Sequence, residues 1–349
     1  MYEKEASTLL KLFHFLLVAF IVLLVGCEES VEENPVVVVY TKPAVEASSV
    51  QEVSEEEILE LETSSDEIEL LSVCYSNEIY LANENTCALT IECDDYSSCI
   101  EWGDQVIANL EADYGSLVYE ESVATGNEGI MLLASYNIDQ EGKRLYTEQG
   151  VSNEVLEYHS NLWNSFSWLI PKHYRKEINR FEVFESGDTL AYVTLNDRRG
   201  AYWTLGMNNK DIELASETLV TYLHEYAHFV SLNQSQIDYW VPEERCNSLF
   251  LKDSGCFYKE AYLNDFYKRF WENGGHGRVV DHYVSKYAMY SPEEDFAESF
   301  AHFILTKSPN GQNVVEEKLL FFYEYEELVQ LRTEILSRTA TWLVRSAIN

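Results

Sequence analysis

Two histidines four residues apart, with a glutamate directly after the first, make His224-Glu225-Tyr226-Ala227-His228 the segment of this chain best equipped for chemistry. On an α-helix, residues four apart differ by roughly 40° around the axis and adjacent residues by about 100°. Both imidazoles would then project together and could bind one Zn2+ at about 2.0–2.1 Å. Glu225 would face a water activated by that metal and take its proton. The same letters also arise on amphipathic helices that bind nothing. A third donor decides between the two, because a catalytic zinc takes three protein ligands and keeps one position open.

One known solution places a third histidine six residues after the second, preceded by a glycine, but Gln234 stands there and the metzincin spacing is excluded. The other solution is a glutamate from a second helix. Ser291-Pro-Glu-Glu294-Asp-Phe-Ala-Glu298-Ser-Phe300 supplies one, with a further acid four residues on. Glu294 and Glu298 share a helix face with Ala297 and Ala301, while Phe296, Phe300 and Phe303 take the opposite arc. Glu294 could ligate the metal and Glu298 could accept the second ring N–H of a ligand histidine. Glu294 also reads as the third residue of a capping box begun by Ser291, and Asp295, Glu298, His302, His282 and His276 are rival donors.

Tyr287-Ala-Met-Tyr-Ser-Pro-Glu-Glu294-Asp-Phe-Ala-Glu298 resembles the second zinc motif of the anthrax lethal factor-like gluzincins, in which a tyrosine precedes the ligand glutamate by seven residues. The resemblance spans about residues 180 to 310. It implies a zincin-like catalytic domain that hydrolyses peptide bonds, with His224, His228 and Glu294 on one Zn2+ per chain. It further implies Glu225 as the base, Glu298 behind the ligands, and Tyr287 as a hydroxyl near the metal. Tyr283 and Tyr290 compete for that last place, and 65 residues separate His228 from Glu294.

The elements that must position these groups follow from periodicity. A helix is expected from about Asp211, its N-cap, to Asn233, with Leu219, Leu223, Tyr226, Ala227 and Val230 toward a core. Helices are also expected at Ser97–Ala112, from Gly150 to Ile170, at Lys259–Trp271, Pro292–Leu305 and through most of 314–346. Strand patterns occur at Gly129–Tyr136, Arg180–Glu185, Thr189–Leu195 and Ala201–Leu205; the last could be either an edge strand for an extended peptide or a buried core strand. The acidic run from Asn137 to Glu148 partly fits a calcium loop but reads better as a hairpin turn. Together these give an α+β fold, a small sheet followed by helices.

At 349 residues with 60 acidic and 24 basic side chains, a formal charge of −36, the chain is poorly suited to nucleic acid. Lys4 and Lys11 precede an apolar run, Leu12 to Val25, that stops at Gly26-Cys27, the layout of a bacterial lipoprotein signal with Cys27 as the lipidated residue. The expected organisation is signal peptide 1–26, lipidated Cys27 and acidic tether 27–70, cysteine-rich subdomain 71–150, and metallopeptidase domain 151–349. The tether's reach is on the order of 35 Å. The chain is thus expected to be exported and membrane-anchored at a cell surface or outer membrane, with a peptide or protein as substrate. Cys74, Cys87, Cys93, Cys99, Cys246 and Cys256 remain for disulfides; Cys246 with Cys256 is the natural pair, and the cluster of four is open. The alternative function is an exported surface binding protein with an inactive or structural metal site.

Overall fold

The computed structural model describes residues 74–82, 84, 86–118, 129–147, 150–196, 202–210, 215–272 and 279–346. The leader, Cys27, the tether, Glu148, Asp211 and His276 lie outside them. Among the described residues no helix is long and apolar enough to cross a membrane.

The first elements are a hairpin, β1 (Glu78–Leu81) with β2 (Thr86–Leu89), and helix α1 (Tyr96–Tyr114). Asp95 starts α1 through a capping box with Ser98, the arrangement that satisfies orphan N–H groups at a helix start. Cys74 pairs with Cys87 and Cys93 with Cys99, which resolves the cluster the spacing leaves open; Cys246 pairs with Cys256.

The main sheet has five strands in the order β4-β3-β5-β7-β6. These are β3 (Met131–Ile138), β4 (Leu145–Tyr146), β5 (Ile178–Glu185), β6 (Ala191–Leu195) and β7 (Trp203–Asn208). β5 and β7 run parallel and the other pairs antiparallel. The sheet draws strands from both sides of Gly150. The β3–β4 connection is a hairpin turn closed by Asp139 and Arg144, as its polar composition indicates. Within the expected Ala201–Leu205 strand, residues 203–205 do not supply an edge: β7 is buried along its whole length between β5 and β6, and β6 and β4 are the edge strands.

Alternation on β3, β5 and β7 turns Tyr136, Phe181, Val183, Leu205 and Met207 into the core. Helices α2 (Asn153–Leu169) and α3 (Ala215–Leu232) cover that face. Ring contacts fix them in place: Trp163 on Phe181 at 5.6 Å, Phe166 on Tyr222 at 5.7 Å and Phe229 on Trp203 at 5.7 Å.

The opposite sheet face shows why Gly206 must be glycine. Tyr192 on β6 lies flat across its Cα to donate a 2.6 Å hydrogen bond to Glu182 on β5, and a Cβ at 206 would overlap the ring. Gly206→Ala should therefore expel Tyr192 and cost about 1–3 kcal/mol by overpacking. Thermal denaturation checks this; an unchanged melting temperature would mean that the ring yields freely.

The small strands β8 (Ile237–Asp238), β9 (Phe250–Leu251) and β10 (Gly255–Phe257) form a three-stranded sheet after α3, followed by α4 (Tyr262–Phe270) and α5 (Pro292–Leu305). The helical pattern of 314–346 is two helices, α6 (Val314–Tyr323) and α7 (Glu326–Ser346). The break at Glu324-Tyr325 has no glycine or proline; tertiary bonds hold it, from Tyr325 to Asp265 and from Arg269 to Glu324. Arg332 of α7, fully buried, donates to the Phe303 and Thr306 carbonyls at the end of α5 and pairs with Asp104 of α1 at 2.8 Å.

Candidate metal centre

Helix α3 carries His224, Glu225 and His228, all on its buried or half-buried side. It packs closely against α5, whose start is set by Ser291, with its hydroxyl accepting the Glu294 N–H at 3.3 Å and Pro292 in the first turn. On α5, Phe296, Phe300 and Phe303 are buried among Phe266, Phe321 and Phe322. Ala297 and Ala301 are fully buried as well, consistent with the small residues that let two helices approach.

The docking brings three donor atoms together. His224 Nε2 and His228 Nε2 lie 3.0 Å apart, and Glu294 Oε2 lies 3.0 Å from the first and 3.3 Å from the second. Glu294 is therefore both the residue whose N–H is capped and a member of the cluster, since its amide and carboxylate face different partners. Glu298 Oε1 sits 2.6 Å from His224 Nδ1, behind the cluster. The Ser285 hydroxyl bonds Glu298 in turn and receives the Ala288 N–H at 3.1 Å. The Tyr287 ring lies 5.5 Å from the His224 ring. Tyr283 is buried instead beneath the Lys318 ammonium, and Tyr290 is 62% exposed.

The other acid and histidine donors go elsewhere. Asp295, next to Glu294, turns away and pairs with Lys318 at 2.6 Å. His282 offers its carbonyl to Lys318. His302 is kept neutral by burial, against the pull of Glu298.

The electrostatics follow from this crowding. Burial works against ionising Glu294, but the two imidazoles facing its carboxylate outweigh it and hold the carboxyl far below its ordinary range. Burial likewise opposes a charged His224, and Glu294 and Glu298 reverse that, raising it well above the usual imidazole value. Glu225 is different. Burial pushes its pKa up, the neighbouring histidines oppose the shift, and a hydrogen bond from the Val193 backbone on β6 helps retain the carboxylate.

The donor set suits a zinc ion. Glu294 Oε2 is buried and makes no well-formed hydrogen bond, although two imidazole nitrogens face it. Three lone-pair atoms converging from a His-x3-His helix and a second-helix glutamate match the donor types of a His2Glu zinc site. The same three residues form a group able to hold a metal ion. Cys74, Glu78 and Cys87 also lie close together, but both sulfurs are consumed in a disulfide.

Residues 183–319 match a family described as "Putative zinc-binding metallo-peptidase". The matched stretch runs from β5 into α6 and contains His224, Glu225, His228, Tyr287, Glu294 and Glu298, and it supports metallopeptidase activity for this part of the chain. No curated protein and no solved structure gives a significant match.

Sequence reasoning missed Ser285, the Val193 backbone and Lys318. Ser285 and Val193 carry no signal, being an ordinary serine and a main-chain group. Lys318 does: it opens the apolar run Lys318-Leu-Leu-Phe-Phe-Tyr323, where a cation needs a buried partner.

Proposed function

We propose that this chain is a zinc-dependent endopeptidase of the lethal factor-like gluzincin type, acting on peptides or proteins. The observation that carries the reading is the convergence of His224 Nε2, His228 Nε2 and Glu294 Oε2 within 3.0–3.3 Å, with Glu225 on the same helix. These three residues would hold one Zn2+ per chain. When bound, the ion supplies Lewis acidity, polarising a scissile carbonyl and making a water acidic near pH 7.

The chain's own residues do the rest. Glu225 takes the water's proton and later delivers it to the leaving amine. Glu298 accepts the Nδ1–H of His224, which fixes the tautomer and leaves the Nε2 lone pair toward Glu294. The Tyr287 hydroxyl donates to the oxygen on which negative charge develops. Edge strand β6, tied to Glu225 through Val193, pairs with the extended substrate backbone. The leader and Cys27 make the enzyme an exported, lipid-anchored protein, with the acidic tether holding its domain away from the membrane.

Elemental analysis of the whole protein tests the reading. About one zinc per chain is expected, lost in His228→Ala and in Glu294→Ala. Glu298→Ala should keep the ligands and bind zinc about 10–100-fold more weakly, the usual loss when an outer-shell carboxylate is removed. A folded protein that takes up no zinc would leave the surface binding protein as the better reading.

A further inference from the structure

We infer that Lys318 is a positioning residue for this site: its single ammonium ties the turn that carries Glu294 to the segment that carries Tyr287. The inference rests on the reading of the site given above.

Lys318 belongs to α6, a helix that contributes no group to the metal cluster. Its side chain is 1% exposed and its Nζ has three partners. It lies 2.6 Å from Asp295 Oδ2, donates to the His282 carbonyl at 2.8 Å, and sits 3.9 Å above the centre of the Tyr283 ring. Asp295 directly follows Glu294 in the first turn of α5. His282 and Tyr283 begin the stretch that reaches Tyr287 four residues later. One point charge thus joins the two elements whose relative placement sets the distance between a ligand and the phenol.

The far side of the joint is equally well made. Asp295 Oδ2 also receives Trp271 Nε1 at 2.8 Å, Ser299 donates to Oδ1 at 3.4 Å, and the Trp271 and Tyr283 rings meet edge to face at 6.0 Å. Packing alone would be met by an apolar side chain of the same volume. A buried ion pair carries a desolvation cost that an apolar pair avoids, and its best-attested use is to fix one geometry among several. The geometry fixed here is the course of residues 282–287. A second anchor acts on the same stretch, the Ser285 hydroxyl on Glu298, so Lys318 holds the beginning and Ser285 the middle.

The test uses the full-length protein with the charge-balanced pair Lys318→Met/Asp295→Asn. This pair removes the link without leaving a buried charge alone; the amide oxygen can still accept from Trp271 while its N–H donates to the Ser299 hydroxyl. Zinc content, melting temperature, kcat, KM and the visible spectrum of the Co2+ form are measured with and without Tyr287→Phe. We expect a folded protein with full zinc and a ligand-field spectrum like the parent's, KM within about 2-fold, and kcat down about 10–100-fold. Tyr287→Phe should lower kcat about 100-fold in the parent and only by the remainder, about 1–10-fold, in the pair, because both changes remove the same hydroxyl interaction. Should the pair not fold, Lys318→Gln/Asp295→Asn serves with the same readouts, its amide being too short to meet both position 295 and the His282 carbonyl. Parent-like kcat, or losses that multiply, would overturn the inference while leaving the metallopeptidase standing. A parent protein without zinc would overturn both.

Discussion

Glu225→Gln is expected to retain its zinc and to lose about 10²–10⁴-fold in kcat, the range that general base catalysis contributes. Glutamine matches the glutamate in shape, and the ligands His224, His228 and Glu294 are untouched, so neither the fold nor the metal content should change. What disappears is the proton acceptor on the buried face of α3, where burial and the Val193 backbone bond act on one carboxylate in opposite directions. KM should move little, because the group works on the reacting water and not on ground-state binding. Steady-state kinetics on a peptide substrate alongside elemental analysis separates the possibilities. Full activity in a zinc-loaded Glu225→Gln protein would sink the mechanism, whatever the metal analysis shows.

The second large effect concerns stability. Arg332→Met should destabilise the fold by about 2–5 kcal/mol, because it strands two helix-end carbonyls at about 1–3 kcal/mol each and leaves the partly exposed Asp104 without its partner. The guanidinium closes the end of α5 by bonding the Phe303 and Thr306 carbonyls, and it ties that end to Asp104 of α1. Methionine fills much of the volume but leaves helix carbonyls unpaired in the core. The fit is tight on the other side as well, since a Cβ at Gly103 would overlap the guanidinium. Equilibrium denaturation gives the answer. A loss below about 1 kcal/mol would mean that water replaces the arginine at those carbonyls.

The parts of the site that were legible share a feature: their geometry is local. The spacing of His224 and His228 works only on a helix, and the buried positions Leu219, Leu223, Tyr226, Ala227 and Val230 follow the same period. Pro292–Leu305 was legible to the residue because Ser291 and Pro292 are strong start signals and the phenylalanines mark the buried arc. Strand order was not legible. Trp203–Asn208 is apolar enough for a core strand, yet its N-terminal half reads equally as an edge, and only long-range pairing with β5 and β6 decides. The helix break at Glu324-Tyr325 was hidden for a related reason: both residues fit a helical pattern and are held out of line by Arg269 and Asp265. Arg332 looks like a surface cation in a one-dimensional reading, since its partner lies 228 residues away, and the apolar run after Lys318 signals burial without naming the partner 23 residues back.

The division of the three donors between α3 and α5 has a consequence beyond catalysis. A cation held by both helices binds only when they are docked, so it favours the folded chain over the unfolded one by mass action. At a free zinc concentration one hundred times the dissociation constant, the gain is about 2.7 kcal/mol. The melting temperature then becomes a titration curve for the metal: chelators lower it, zinc restores it, and a chain lacking Glu294 should no longer respond. A chain built this way would be clasped shut by the ion it meets, with its fold and its activity switched on by the same encounter.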